Sequence, residues 1–328
     1  MPVIDIALAA YRGDHYIAEQ LHSIFSNQFS DQDIFLGNVI VSDNLSPDQT
    51  SEIVRELSAR YQNLRLLSNP EKGVIANFNH ALAATVAPYV MLADQDDVWM
   101  PDKIQLTFQR MQQLEREYGQ DVPLLVFTDL AVTDDGLNVT APSFFAFQKI
   151  LPAQYRGAER MFLYNIAPGC TMMANRRLLD MALPVPSGAV MHDWWLMQVA
   201  AVFGQIAYVE RATMYYRQHQ NNQIGATVSS FWEKLFAPLE KYRLAQKNLQ
   251  DASRQAGLFL TQFPGVDSHN KAVIEGIAQF ESLSRWQRIR KLAGGMLVSP
   301  TFWGQVLLYA VAVFMPVTSQ SSQSHSLR

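Results

Sequence analysis

Tyr89-Val90-Met91-Leu92-Ala93-Asp94-Gln95-Asp96-Asp97-Val98-Trp99 is the stretch that decides the fold. Five apolar residues closed by a cluster of acids read as a buried strand with its carboxyl end marked by charge. In sheets built from such strands, ligands bind just beyond the carboxyl ends. Three carboxylates within four residues repel one another and are costly to desolvate unless a cation joins them. A divalent ion bound to phosphate oxygens is such a cation. The plainer alternative is a solvated acidic turn ahead of the helix that starts near Pro101.

Working outward from this stretch, strand and helix signals alternate back to the N-terminus. Residues 3–9, 39–42 and 64–67 read as strands. Residues 15–27 read as a helix with Ile17, Leu21, Ile24 and Phe25 on one face. Ser46-Pro47 starts a second helix, with Ile53, Val54 and Leu57 on its buried side, and Gly73 opens a third that runs to about residue 85. The pattern predicts an α/β fold with a mostly parallel central sheet and right-handed crossovers. Past residue 129 the signals mix: a segment at 166–174, a helix from His192 to about 202, and a strand at 213–217. Helices follow Ser229, one of them over 231–260. A soft boundary falls near residue 228, and 319–328 reads as a disordered polar tail.

Composition narrows the function. The 328 residues suit one large α/β domain with an appendage, and a net charge of −4 excludes a general nucleic-acid binder. The lone Cys170 excludes an internal disulfide framework and fits a reducing compartment. The start lacks the basic leading region of a signal peptide, and Asp5 interrupts its apolar run. Charged residues make up 17% of the chain against about 25% in typical domains, and residues 292–327 hold no Asp, Glu, Lys or Arg. A basic cluster precedes that run: Arg285, Arg288, Arg290 and Lys291, interleaved with Trp286 and Ile289. The densest apolar part, 302–317, is shorter than the roughly 20 residues a bilayer span needs. This order suits an anchor lying in the interface of an anionic membrane. A helix packed on the domain, a dimer interface or a true span are the alternatives.

The acidic strand end, the opening Ala9-Ala10-Tyr11-Arg12-Gly13 and the segment His192-Asp193-Trp194-Trp195 together resemble family 2 glycosyltransferases of GT-A type. The closest resemblance is to rhamnosyltransferase-like members of bacterial polysaccharide assembly, and it runs from about residue 3 to residue 225. It implies a Rossmann-like GT-A catalytic domain over 1–228, with a nucleotide-binding half at about 1–130 and an acceptor half at about 131–228. The helical extension, 229–318, would carry the membrane-associating segment. By the same resemblance, Ala9, Ala10 and Tyr11 cradle the nucleotide base and Asp43 accepts a hydrogen bond from it. Many relatives carry a second acid where this chain has Asn44. Asn77 would contact the nucleotide at a helix start, although Asn77 and Asn79 read equally well as polar surface. Asp94 and Asp96 form the D-x-D pair, with Asp96 on Mg²⁺ or Mn²⁺ and Asp94 near the ribose. Asp97 would touch the sugar or orient the loop.

Inverting transfer needs a carboxylate on the acceptor side to take the hydroxyl proton, while a metal takes the charge developing on the diphosphate. The resemblance makes Asp193 that base; its plainer role is a helix N-cap. Trp99, Trp194 and Trp195 offer faces for sugar rings; residues 165–171 resemble the family's loop beneath the acceptor, where Gly169 would permit close backbone approach. His219 is the implied further metal ligand, or a structural histidine. Arg217 neutralises donor phosphate or pairs with an acid. Lys103 meets donor phosphate or, as we favour, supports its helix. Cys170 reads as buried packing. The expected donor is a nucleoside-diphosphate sugar, dTDP-rhamnose or a UDP-sugar. The expected acceptor is lipid-linked or polysaccharide, in cell-surface polysaccharide (O-antigen) assembly at the cytoplasmic face of a bacterial membrane, with homo-oligomerisation left open. Two other readings stand beside this one. An NAD-dependent oxidoreductase is disfavoured because Tyr11-Arg12-Gly13-Asp14 is no G-x-G-x-x-G loop. A non-catalytic sugar-binding assembly module of the same fold differs from the enzyme only in lacking turnover.

Overall fold

The apolar runs of the first third become neighbours in one sheet. β1 (Val3–Ala10) pairs in parallel with β2 (Phe35–Asp43), which pairs in parallel with β3 (Leu64–Ser68). On its other side β1 pairs in parallel with β4 (Tyr89–Asp94). The structure, a computed structural model, describes residues 2–29, 34–155, 157–219, 231–295 and 297–317. Asp5 interrupts the apolar run of β1 yet stays buried, because its carboxylate accepts N–H bonds from Asn38 (2.7 Å), Val86 (2.8 Å) and Ala87 (2.9 Å). It ties the start of β4 to β1 and β2.

Helices α1 (Ile17–Phe25), α2 (Thr50–Arg60), α3 (Val74–Ala83) and α4 (Lys103–Tyr118) flank these strands. α1 buries Ile17, Leu21 and Ile24, as the spacing predicts. α2 starts later than Ser46-Pro47 suggests. The Ser46 hydroxyl is drawn back to Asp43, while Asp48 accepts from the backbone N–H (3.2 Å) and hydroxyl (2.6 Å) of Thr50.

The rest of the sheet is what the sequence left mixed. Among the described residues its order is β3-β2-β1-β4-β8-β6-β9-β5, with β7 on β6. These later strands are β5 (Val98–Trp99), β6 (Leu124–Thr133), β7 (Val139–Ala141), β8 (Met172–Asn175) and β9 (Gln205–Arg217). β8 is antiparallel to both β4 and β6, while β6 and β9 run parallel. β6 is buried along its whole length although it carries Thr128, Asp129 and Thr133. Its polar groups are satisfied, since the Thr128 hydroxyl bonds that of Thr213 on β9 (2.7 Å) and Asp129 accepts from the Ser143 hydroxyl and the Phe144 N–H (3.0 Å) at the start of α5 (Phe144–Gln148).

Contacts divide the chain into two units: Met1–Pro152 with Ala167–Ala226, and Ala153–Ile166 with Thr227–Arg328. The second unit holds α6 (Ala158–Met161), and α7 (Arg176–Ala182) and α8 (His192–Phe203) belong to the first. The other helices of the second are α9 (Phe231–Gln262), α10 (Ser268–Ala278), α11 (Arg285–Ala293) and α12 (Phe302–Phe314). Phe162 packs edge-on against Phe259 (centroids 5.0 Å, 86°), which draws 153–166 into this unit although the sequence reading keeps it within 1–228. The soft boundary near residue 228 and the tail 319–328 lie outside the described residues.

Arg288 corrects the expected basic patch. It is fully buried, and its guanidinium donates to the carbonyl oxygens of Phe280 (3.0 Å), Glu281 (2.6 Å), Met315 (2.5 Å) and Pro316 (3.0 Å). It therefore ties α11 to the end of α12 and offers nothing to a lipid. α12 buries Leu308, Val311 and Ala312 and leaves Phe302, Trp303, Val306 and Phe314 exposed. Among the described residues no helix is long and apolar enough to cross a membrane.

Candidate active site

Strand register brings the first candidate residues to one edge. Ala9 sits opposite Ser42 on β2 and Asp94 on β4, and Ala10 opposite Asp43. The Ala10 carbonyl accepts the Asn44 backbone N–H (2.9 Å) and the Asn77 side-chain amide (3.0 Å). Asn77 itself is buried, accepting from the Ser42 hydroxyl (2.6 Å) and the Asn69 amide (3.2 Å). Its amide is thus a brace between strand ends. Asn79, the neighbouring candidate, exchanges two 2.8 Å bonds with the backbone of Val185. Asp43 is buried and accepts from the Ser46 N–H (3.1 Å), the Ser46 hydroxyl and the Ser51 hydroxyl (2.7 Å). A carboxylate offers about four acceptor positions, so three bonds leave room for one more.

Two loops are locked together over this edge. Gln95 accepts the Tyr11 backbone N–H (2.7 Å) and donates back to the Tyr11 carbonyl (2.9 Å). Gly13 lets the loops approach, since a Cβ there would stand 2.4 Å from Gln95 Oε1. The Tyr11 ring stays exposed at the rim.

The acids form a charged knot. Burial first, then the charges of Asp96 and Asp193, push the Asp94 carboxyl up to about 7. Asp97 is fully buried and pushed well above the carboxylate range, mainly by burial and then by Asp96 and Asp94. Cys170 meets them: its Sγ and one oxygen each of Asp94 and Asp97 lie within 4.8 Å of one another. Burial and the nearby Asp97 and Asp94 charges raise the thiol well above its ordinary range, so it stays protonated and is no nucleophile. Asp96 points elsewhere, its Oδ2 lying 2.9 Å from His219 Nε2.

The Asp193 carboxylate stands in the first turn of α8, inside the helix and not at its cap, which is Met191. Its Oδ2 accepts the Gly169 N–H (3.1 Å) and its Oδ1 accepts the Trp194 N–H (2.6 Å). Both carboxylate oxygens thus carry a backbone donor at the N-terminal end of the helix. Gly169 and Cys170 are consecutive, so one dipeptide holds Asp193 with its first residue and touches Asp94 and Asp97 with its second. Gly169 thus permits close approach to α8: a Cβ there would lie 2.8 Å from His192 Nε2 and 3.3 Å from Asp193 Cβ. His192 is buried, stacked on Phe78 (3.8 Å), and burial holds its pKa below the ordinary value, which keeps it neutral.

Other candidates fall in the scaffold. Trp195 is fully buried and its indole N–H donates to the Ala182 carbonyl (2.9 Å), while Trp99 and Trp194 are also buried. Burial leaves these ring faces packed against protein, which does not fit the expectation that sugars stack on them. Lys103 is buried with its ammonium over the Trp99 ring (5.0 Å) and 3.3 Å from the Thr213 hydroxyl; burial lowers it to about 8. Arg217 pairs with an acid: it donates to Glu19 (2.5 Å) and to the backbone carbonyls of Asp96 (3.0 Å) and Asp135.

A divalent cation fits the groups present. Oδ2 of Asp96 and Nε2 of His219 are 2.9 Å apart, near the roughly 3.0 Å between adjacent ligands of an octahedral ion with bonds of about 2.1 Å. Beyond burial, the charges of Asp94 and Asp96 bear on their neighbours, a repulsion that a bound cation would relieve. Sequence reading missed Tyr16, Glu19 and Gln95, whose partners are separated from them by 84 residues or more. No local pattern signals such contacts.

A family model described as "Glycosyl transferase family 2" matches residues 5–180, more than half of the chain. A dTDP-rhamnosyl transferase of Shigella flexneri is 29% identical over 236 residues, covering 68% of this chain and 75% of that protein. An uncharacterized protein of Mycobacterium tuberculosis is 26% identical over 235 residues, 70% of this chain and 64% of that one. Among solved structures, Staphylococcus aureus TarS 1–349 in complex with UDP-GlcNAc superposes with a TM-score of 0.53 at 16% identity, covering 95% of this chain and 90% of that one. A mannosyltransferase from Pyrobaculum calidifontis in complex with GDP-Man and Mn²⁺ gives 0.50 at 14% identity, covering 95% and 87%. These likenesses establish the shared fold.

Proposed function

The chain belongs to glycosyl transferase family 2, and from that premise we propose that it moves a sugar, with inversion, from a nucleoside-diphosphate donor to a lipid-linked or polysaccharide acceptor. The premise answers the oxidoreductase reading. The donor we favour is dTDP-rhamnose, supported by the similarity to a dTDP-rhamnosyl transferase; a UDP-sugar is second. The observation that carries the reading is the Gly169-Cys170 dipeptide, whose N–H bonds the base candidate Asp193 and whose thiol lies beside Asp94 and Asp97.

In this reading Asp43 accepts the base N–H at its remaining acceptor position, and Ala9, Ala10 and Tyr11 frame the base. Asp94 faces the ribose and Asp97 braces the loop from within. Asp96 and His219 would hold Mg²⁺ or Mn²⁺, which supplies positive charge to the diphosphate as it departs. Asp193 takes the proton of the acceptor hydroxyl. That oxygen then forms its bond to the anomeric carbon from the face opposite the diphosphate. The bond to the phosphate oxygen breaks, and the electron pair leaves with the nucleoside diphosphate. Gly169 helps aim Asp193, its N–H bonding the carboxylate oxygen that the Trp194 N–H does not.

We further read the second unit as the means of peripheral attachment to the inner face of a bacterial cell membrane. Arg285 and Arg290 are exposed, Trp286 is 75% exposed, and α12 leaves an apolar stripe of Phe302, Trp303, Val306 and Phe314 uncovered by the described residues. Basic and aromatic groups beside an apolar stripe suit an anionic leaflet.

A donor panel with Mn²⁺ or Mg²⁺, read by transfer and by thermal stabilisation of the full chain, tests the reaction. Asp193→Asn should lose at least about 10²-fold in kcat while donor binding persists. Near-wild-type transfer by that variant would remove Asp193 from the role of base, and turnover that survives exhaustive chelation would remove the metal.

A further inference from the structure

The chain leaves β9 at Arg217 and reaches Asp96 only two residues later, at His219. That short bridge is held by the start of α1. Arg217 is pinned by Glu19 on α1 (2.5 Å) and by the carbonyls of Asp96 and Asp135. Tyr16, the residue that precedes α1, lies against both ends of the bridge. The Arg217 guanidinium carbon is 4.9 Å from the centre of the Tyr16 ring, and the His219 imidazole stacks on that ring at 4.8 Å and 21°. The ring is itself fixed, because the Tyr16 hydroxyl donates to Asp135 Oδ1 (2.6 Å).

We propose that Tyr16 is a positioning residue for His219: its ring sets the plane of the imidazole, so that Nε2 stays on Asp96 Oδ2 and the two ligand atoms are preset for a divalent cation. This rests on the reading that Asp96 and His219 hold that cation. An imidazole on a two-residue tether can rotate about its side-chain torsions. A stacked ring removes that freedom at the cost of one aromatic contact. Groups that orient a metal ligand without touching the metal commonly matter 10–100-fold in metal affinity. Tyr16 is suited to act this way and not simply to hold the fold. Arg217 keeps its bonds to Glu19, Asp96 and Asp135 whether or not the ring is present, so the bridge survives while the imidazole loses its stacking partner.

The test measures Mn²⁺ binding directly, by the electron paramagnetic resonance signal of free Mn²⁺ titrated into the full chain with dTDP present, alongside melting temperature. Tyr16→Leu should weaken Mn²⁺ binding by about 10–100-fold and raise the KM for Mn²⁺ in transfer, with donor KM at saturating Mn²⁺ unchanged. Tyr16→Phe keeps the ring and should stay within about threefold of wild type, by the same reasoning. Wild-type Mn²⁺ affinity in Tyr16→Leu refutes the proposal, and so does an equal loss in Tyr16→Leu and Tyr16→Phe, which would assign the effect to the Asp135 bond. If Tyr16→Leu does not fold, Tyr16→Met serves in its place. His219→Ala separates the two levels: unchanged binding there takes the metal reading down together with the proposal, whereas lost binding there with intact binding in Tyr16→Leu sinks the proposal alone.

Discussion

Substituting Gly169 by alanine adds a single methyl at the residue that holds the proposed base. The new Cβ would stand 2.8 Å from His192 Nε2 and 3.3 Å from Asp193 Cβ. Ordinary contact is about 3.5 Å, so the overlap with the imidazole is about 0.7 Å. His192 has nowhere to retreat, because it is buried with its ring stacked 3.8 Å from Phe78. The strain therefore passes to the first turn of α8, and with it to Asp193. A shift of that size lengthens the 3.1 Å bond from the Gly169 N–H to Asp193 beyond a useful hydrogen bond. Overpacking of a filled interior costs about 1–3 kcal/mol, which for a unit of this size lowers the melting temperature by about 2–10 °C. Misplacing a reacting group by about 1 Å costs up to about 10²-fold in rate. The expected result for Gly169→Ala is a fall in kcat of about 10–100-fold with donor KM little changed, since Asp43 and the β1 loop are not touched. Steady-state transfer kinetics and thermal melting check it. A variant with wild-type melting and kcat within about twofold would show that the Gly169 contact neither packs α8 nor aims Asp193.

Lys103 gives a pH prediction. Its folded pKa of about 8 lies below the ordinary 10.5, so between those values the unfolded chain holds a proton that the native one lacks, and stability rises with pH. The burial penalty is thus full below pH 8 and relieved toward pH 10.5. It corresponds to about 3 kcal/mol at most. Lys103→Met should therefore be most stabilising, relative to wild type, near pH 7 and lose that advantage by pH 10.5, as chemical denaturation across pH would reveal. Arg288→Met should destabilise the second unit by about 3–5 kcal/mol, because four buried carbonyl bonds to one charge are lost, and should expose 302–317 to protease. Trp286→Ser with Trp303→Ser should cut sedimentation with vesicles of anionic phospholipid at least about tenfold without changing transfer to a soluble acceptor; undiminished binding would rule out this face as the anchor.

Much of the fold's first third was legible because each signal was local. The runs that became β1, β2, β3 and β4 are apolar and bounded, and the acids at the ends of β2 and β4 adjoin those runs directly in sequence. β6 escaped the reading because Thr128, Asp129 and Thr133 break its apolar pattern. Their bonds to Thr213, Ser143 and Phe144 make burial tolerable only once those segments are in place. The tryptophans misled for the opposite reason. An aromatic beside an acid looks like a sugar platform in sequence, yet Trp195 fills the core and donates to Ala182. Arg288 looked like part of a surface patch until its carbonyl partners, from Phe280 to Pro316, folded around it.

The sequence by itself determined the class of fold, the strand ends that carry the acids and the family, because periodicity and short motifs are properties of neighbouring residues. Tertiary structure alone decided which candidates meet. Asp193 comes near Asp94 and Asp97 through Gly169-Cys170, and His219 reaches Asp96 across 123 residues with Tyr16 stacked on its ring. Those contacts depend on strand order and register, which insert β8 between β4 and β6 and run β9 beside β6. Sheet order follows from how whole faces pack together, so residues distant along the chain become neighbours only when the complete sheet forms.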